Sequence, residues 1–374
     1  MRLIKHLEYA FRHGIVYPTL RRVFRNPRHD ETIDLHAVKK LLVLRYDRIG
    51  DMIVTTPLLR FLKETSPNLE VGVFASRANA AIIRHNPFVD QIFVLEKNWL
   101  ALFKEMLRAR RERYDVVLNF IFNRTTSAGM LANLIAPDGV KVGQGAEKYS
   151  FYFNKMLRLE RDVQHMTEIL AWYVGAVFGV SMPPEKLQFE IVVDEKSRSV
   201  VDSFLAERKL ARRQCFGDNG REYVVFNLTA TDSVRRLSEE QMVVVARSLS
   251  AREDHAVVLV SDPSEVQLRH TIAQHVRECF EFPPEDSSTL LELASLIDGA
   301  AGVITPDTSI IHFASATQTP VLGFFTSLQS PTEWLPFNVK HLIVRSKDTL
   351  PVAGISADDL TNGIDKFFHS ILKR

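Results

Sequence analysis

LLVLRYDRIGDMIVTTP, residues 41–57, decides the fold. Its first six residues make an apolar run of strand length, and from Met52 onward the spacing turns amphipathic and helical. A strand that passes through a short polar corner straight into a helix is the opening unit of a parallel α/β sheet. Gly50 is read as permitting a tight turn at that corner, and Asp51 as opening the helix.

Outward from this unit the pattern repeats. Strands are expected at 41–46, 71–75, 91–95 and 115–120, and helices at 52–65, 77–85 and 99–113. The stretch VSMPPEKLQFEIVVDEKS, 180–197, then breaks the helical spacing with two prolines, which places a domain junction there. Beyond it the alternation restarts, with strands at 222–228, 255–261, 301–305 and 320–325 and helices near 238–252, 264–276, 289–298 and 308–316. A closing helix is expected over 356–373. A chain of 374 residues exceeds what one core usually fills. The expected class is therefore α/β, with two Rossmann-like doubly wound domains, 39–180 and 181–374, facing across a cleft behind a basic extension, 1–38. Ligands of such sheets bind beyond the carboxyl ends of the strands.

Composition removes other classes. Hydrophobic residues at 46% and charged residues at 25% exclude a disordered chain. Cys215 and Cys279 are too few for a disulfide framework and match no metal spacing, which fits a reducing cytoplasm. A net charge of +2 argues against nucleic acid as a partner of the whole protein, so any basic surface is local. It is concentrated at 1–28, where Arg2, Lys5, Arg12, Arg21, Arg22, Arg25 and Arg28 face the single acid Glu8. Leu3, Ile4, Leu7, Ala10 and Phe11 recur there at helical spacing. A helix lying on an anionic membrane surface and a helix docked on the protein's own core both fit. Charges interrupt the stretch too often for a signal peptide, and no run in the chain is long enough to span a bilayer.

Three segments carry chemistry. At the first corner, Asp51 can act as a general base toward a sugar hydroxyl or merely cap its helix, and Asp47 has the same two choices. Arg45 and Arg48 can hold phosphate or pair with those acids. One glycine is too few for a dinucleotide fingerprint. The second segment, ITPDTSIIHFASATQTPVLGFFTSLQSPTEW, 304–334, ends a strand and opens a helix at Asp307, Thr308 and Ser309, a start suited to phosphate. His312 within it also reads as a satisfied core histidine. The third, NLTATDSVRRLSEEQ, 227–241, carries Thr229, Thr231, Arg235 and Arg236 in a loop suited to a diphosphate, with Ser238 as the alternative of a plain N-cap. No D-x-D triplet occurs, which favours metal-free catalysis with no cofactor. In 123–168, Arg124, Lys141, Lys148, Lys155, Arg158 and Arg161 interleave with Tyr149, Phe151, Tyr152 and Phe153, a mixture suited to an anionic amphiphile.

Taken in order, these segments resemble the lipopolysaccharide heptosyltransferases of glycosyltransferase family nine. Ile49, Gly50, Asp51, Thr55, Thr56 and Pro57 match I-G-D-x-x-x-T-T-P. Pro306, Asp307, Thr308, His312, Ala314, Thr319, Pro320 and Val321 match the later P-D-T-x-x-x-H-x-A pattern and its T-P-V end. The resemblance implies a GT-B fold and inverting, metal-independent transfer of heptose from ADP-heptose to a lipopolysaccharide core or related lipid-linked oligosaccharide. It implies Asp51 as base, a donor site of Thr229, Thr231, Arg235, Asp307, Thr308, Ser309 and His312, and acceptor contacts at Arg48, Arg124 and Lys148. It further implies a cytoplasmic enzyme held peripherally on the inner membrane face through residues 1–28. Ser309, Thr326, Ser327 and Leu237 depart from the family pattern. A sugar-nucleotide epimerase or hydrolase on the same fold, or a noncatalytic scaffold, are the alternatives.

Overall fold

The computed structural model describes residues 14, 17–24, 26–122, 125–145, 147–214, 220–284, 287–328, 330, 332–348 and 350–373. Apolar runs flanked by polar corners become two six-stranded, wholly parallel sheets. The first takes β1 (Lys40–Arg45), β2 (Glu70–Ser76), β3 (Gln91–Leu95), β4 (Val116–Asn119), β5 (Val140–Gln144) and β6 (Lys155–Leu157), in the order β3-β2-β1-β4-β5-β6. The second takes β7 (Glu222–Asn227), β8 (His255–Val260), β9 (Cys279–Glu281), β10 (Gly302–Pro306), β11 (Val321–Phe325) and β12 (His341–Arg345), in the order β12-β11-β10-β7-β8-β9. Both orders are the same doubly wound pattern. Each reverses direction next to its first strand, at β1/β4 and at β7/β10, and such a switch point opens a crevice at the carboxyl ends of the strands.

The helices are α1 (Tyr17–Val23), α2 (Ile49–Thr65), α3 (Trp99–Arg111), α4 (Thr125–Ile135), α5 (Met166–Phe178), α6 (Glu195–Glu207), α7 (Glu239–Ser250), α8 (Val266–Gln274), α9 (Leu290–Gly299), α10 (Ile310–Thr317) and α11 (Ala357–Phe367). The helix expected over 77–85 is only a single 3-10 turn, Ala80–Ile83. The outer face of the first sheet is covered by α3 and α4 through Leu42, Leu44, Phe74, Phe93 and Val117. Its inner face is covered by α2 and α5, which join the second lobe in one continuous apolar core including Ile53, Leu170, Ile311 and Phe313. In that core α2 packs directly against α10.

Part of the basic extension packs on the protein. Tyr17 and Phe24 of α1 and its continuation lie in an aromatic cluster with Phe151, Tyr152 and Phe153, and the Arg21 guanidinium sits 5.5 Å over the Phe151 ring. Arg21 and Arg22 are exposed, whereas Arg2, Lys5, Arg12 and Arg25 lie outside the described residues. No helix among the described residues is long and apolar enough to cross a membrane.

Candidate functional site

The corner after β1 is organised by one arginine. Strand alternation turns Arg45 inward at the end of a buried strand, where it is fully buried. A buried guanidinium must be paired. Its Nη1 lies 3.1 Å from Asp47 Oδ2 and its Nη2 3.1 Å from Asp51 Oδ1. Nε donates to the Asp51 carbonyl at 2.9 Å, and Nη1 also donates to the Phe120 carbonyl at the end of β4. One side chain thus ties together both strands of the switch point and both acids.

Two expectations change here. Gly50 is not at a tight turn, since α2 begins at Ile49 and Gly50 is its second residue. Its missing side chain serves a contact between the lobes: a Cβ at Gly50 would lie 2.5 Å from Cδ2 of His312. Asp51 does not cap the helix either. Arg48 occupies the N-cap with no side-chain cap bond, and the Asp51 carboxylate is turned to Arg45. Burial pushes Asp47 up to about 6, with the charge of Asp51 adding to the rise and Arg45 pulling the other way. Arg48 is exposed beside the corner.

The second switch point is built around Asn227, the last residue of β7. Its Nδ2 donates to the Thr229 carbonyl (3.0 Å), Thr305 Oγ1 (3.0 Å) and Thr308 Oγ1 (3.2 Å), joining the ends of β7 and β10. Thr229 Oγ1 accepts from the Asp262 amide at 2.9 Å. Asp307 is 5% exposed and its Oδ2 lies 3.1 Å from Arg235 Nη1. Thr231 is exposed, while Thr308 and Ser309 are half-buried ahead of α10. Ser309 has φ −57° and ψ −22°, a backbone any residue adopts, so the departure from glycine carries no strain. Arg236 is held away by Glu265, and Ser238 is the N-cap of α7 with Gln241 completing a capping box. Thr326 donates to the Leu350 carbonyl at 2.8 Å, and Leu237 is buried in the second-lobe core.

Between the two corners stands His312. Expected to face the donor, it is 4% exposed and ringed by Trp334 (5.8 Å between ring centres), Phe189 (6.2 Å) and His165 (6.5 Å). Burial, then His165 and Arg45, push it down to about 3, so it is neutral near pH 7. His165 is pushed down to about 4 by burial and caps α5, with Nε2 donating to the Leu335 carbonyl at 3.0 Å. Thr56 Oγ1 accepts from the Glu190 amide at 3.0 Å, and Gln188 donates to the Ser315 carbonyl at 3.0 Å, lacing the 186–190 stretch between the lobes. The motif residues Gly50, Thr56 and His312 therefore form the joint that sets the Asp51 corner against α10. Asn227 and His165 were not singled out in the sequence. A polar residue closing the apolar run EYVVFN was the available signal for the first, and His165 had none beyond the Glu168 three residues on.

The basic and aromatic stretch resolves differently from expectation. The Lys141 ammonium is buried and donates to the carbonyls of Ala136 (3.0 Å), Pro137 (3.0 Å) and Gly139 (2.7 Å), and burial lowers it to about 8. Lys155 donates to the Glu31 carbonyl at 2.7 Å, Arg161 pairs with Glu333 of the second lobe, and among the described basic residues of the stretch only Arg158 is exposed without such a role. Arg124 and the side chain of Lys148 lie outside the described residues. A cavity of about 420 Å³ lies at the amino ends of β7, β8 and β11, beside Glu222, His255 and Pro320. That is the opposite end of the second sheet from Asn227 and Asp307, so it is not part of this site.

Paired sheets of this order, with polar side chains gathered at both switch points, define the two-lobed GT-B class of glycosyltransferases. Residues 99–356 match the model of glycosyltransferase family 9 (heptosyltransferase), and the chain belongs to that family. The match begins after the Asp51 corner. The chain is 23% identical over 290 residues to lipopolysaccharide heptosyltransferase 3 of Escherichia coli, covering 74% of this chain and 80% of that one. It is 19% identical over 312 residues to a lipopolysaccharide core heptosyltransferase of Haemophilus influenzae, covering 81% and 83%. The crystal structure of a family 9 glycosyltransferase from Veillonella parvula superposes with a TM-score of 0.75 at 17% identity, over 91% of this chain and 99% of that one. An E. coli heptosyltransferase solved with ADP gives 0.66 at 17%, over 88% and 98%. These structural likenesses carry the fold.

Proposed function

We propose that this glycosyltransferase moves heptose from ADP-heptose to a lipopolysaccharide core or related lipid-linked oligosaccharide, with inversion and without a metal ion. Residues 39–180 hold the acceptor and 181–374 the nucleotide sugar. The acceptor hydroxyl oxygen attacks the anomeric carbon from the face opposite the diphosphate. The carbon–oxygen bond to ADP breaks, and ADP departs with the bonding electrons. Asp51 takes the hydroxyl proton on the oxygen that Arg45 leaves free. Arg235 and the start of α10, with Thr308 and Ser309, balance the charge building on the diphosphate, helped by the hydroxyls of Thr229 and Thr231. Arg48, Arg124 and Lys148 contact the acceptor's anionic groups.

The observation that carries this reading is the joint of Gly50 with His312, which sets the Asp51 corner of one lobe against the Asp307 helix start of the other. Support for the substrates comes from the names of the relatives above, together with a solved E. coli neighbour bound to a fluorinated ADP-heptose. The enzyme works on the cytoplasmic face of the inner membrane, attached peripherally through residues 1–28, whose Arg21 and Arg22 are exposed. Asp51→Asn is expected to keep ADP-heptose binding, read by calorimetry, and to lose most turnover. Turnover near the wild-type rate would remove Asp51 as the base.

A further inference from the structure

Helix α3 has an apolar face that the core does not use. Its Leu102, Met106 and Ala109 pack onto the outer side of the first sheet. At about 100° per residue these three span an arc of roughly 60°. The adjoining arc, about 100° wide by the same spacing, stands in water and is apolar at four of its five positions, Arg110 being the fifth. Trp99 is 73% exposed, Phe103 53%, Leu100 51% and Leu107 37%. Leu134 of α4, 41% exposed, extends the patch, since Arg110 donates to its carbonyl at 2.7 Å.

The charge around this patch has one sign. Over 97–113 every Lys and Arg is exposed: Lys97, Lys104, Arg108, Arg110, Arg111 and Arg113. The two acids in that span are half-buried and engaged, Glu105 with Arg108 at 2.8 Å and Glu112 with Lys40 at 2.7 Å. Exposed Trp, Phe and Leu rimmed by exposed cations in excess over acids is the make-up of a helix that lies in the interface of an anionic bilayer. Position adds a third observation. Trp99 follows the carboxyl end of β3, and β3 stands two strands from β1. At the usual strand spacing that puts the Trp99 end of the patch about 10 Å along the rim from the end of β1, which carries the Asp51 corner.

We propose that the outward face of α3 docks the enzyme on an anionic phospholipid surface, with Trp99 and Phe103 at the headgroup boundary and Lys104 and Arg111 on lipid phosphates. This contact is distinct from the residue 1–28 extension, and it turns the acceptor side of the site toward a lipid-borne substrate. Its use rests on the lipid-linked acceptor reading, but its test does not.

The test is sedimentation of the full chain with phosphatidylcholine vesicles, with and without phosphatidylglycerol, at low and physiological salt. Wild type is expected to bind the phosphatidylglycerol vesicles, more strongly at low salt. Trp99→Ser with Phe103→Ser lowers the bound-to-free ratio by about tenfold or more, because both rings are exposed and removing them costs no core packing. Lys104→Glu with Arg111→Glu lowers the preference for phosphatidylglycerol, and a chain lacking residues 1–13 keeps the α3-dependent part. Equal binding by the Trp99/Phe103 variant, or no binding by wild type, overturns the proposal. Transfer to a delipidated, soluble acceptor stays unchanged in both variants. If wild type glycosylates no such acceptor while the variants still lose vesicle binding, the functional reading fails and the docking surface stands.

Discussion

Replacing Gly50 by Ala tests the joint between the lobes. The new Cβ would sit 2.5 Å from Cδ2 and 3.2 Å from Nε2 of His312, against the roughly 3.5–4 Å of a relaxed carbon contact. The His312 ring cannot swing away, because Trp334, Phe189 and His165 enclose it. Overpacking of this kind typically costs about 1–3 kcal/mol, and the loss of glycine's backbone freedom in a helix returns about 0.5–1 kcal/mol. Net destabilisation of roughly 0–2.5 kcal/mol follows, which leaves the protein folded. The larger effect falls on geometry. Relief requires α2 and α10 to part by something near 1 Å, and a displacement of that size between reacting groups can cost about 100-fold in rate. The expected result is a turnover number reduced about 10- to 100-fold, with a small shift in the urea midpoint. Combining it with His312→Ala should recover part of the loss, a coupling of about 0.5–3 kcal/mol in a double-mutant cycle. Strict additivity of the two variants, or unchanged turnover in Gly50→Ala, would refute the steric reasoning.

The remaining predictions concern charge. Asp47 titrates at about 6 in the folded chain against an ordinary 3.8, so the folded state holds its proton more tightly. Its contribution to stability is full below the ordinary value and fades as pH rises through about 6; Asp47→Asn should flatten the fall in urea stability between pH 4 and 6. A slope that survives the substitution would assign it to another group. Arg45→Met leaves Asp47 and Asp51 without their buried cation and is expected to cost about 3–5 kcal/mol, with Arg45→Lys intermediate because one ammonium cannot span all four acceptors. Lys141→Ala strips three carbonyls of their donor and should lower stability by about 2–4 kcal/mol. Its acceptor KM should stay unchanged; a raised KM would return Lys141 to the binding surface.

Much of the architecture was legible along the chain. Strands β1–β4 and β7, β8, β10 and β11 lie within one or two residues of the apolar runs that announce them, because strands buried on both faces of a parallel sheet must be continuously apolar. Strands β6 and β9 have only three residues each, and β5 and β12, though five long, include Lys141 and Gln144 or His341 and Arg345, which interrupt or bound the apolar run. Helix α5, MTEILAWYVGAVF, lacks a clear polar face because it is packed between α2 and the second lobe. The basic stretch 123–168 read as a surface because lysine is usually solvated, yet the β5 alternation turns Lys141 inward onto three carbonyls.

By itself the sequence determined the strand and helix alternation of two parallel sheets and the residue types at each strand-to-helix corner, since periodicity and local turns are short-range properties. Only the tertiary structure decided what those residues do to one another. Asp51 is neither a cap nor at a glycine turn, but is one of two acids on a buried arginine. Gly50 is glycine because of a histidine 262 positions further along the chain. Such a contact has no trace in local spacing, for it exists only when the two lobes bury their helices against each other in one core.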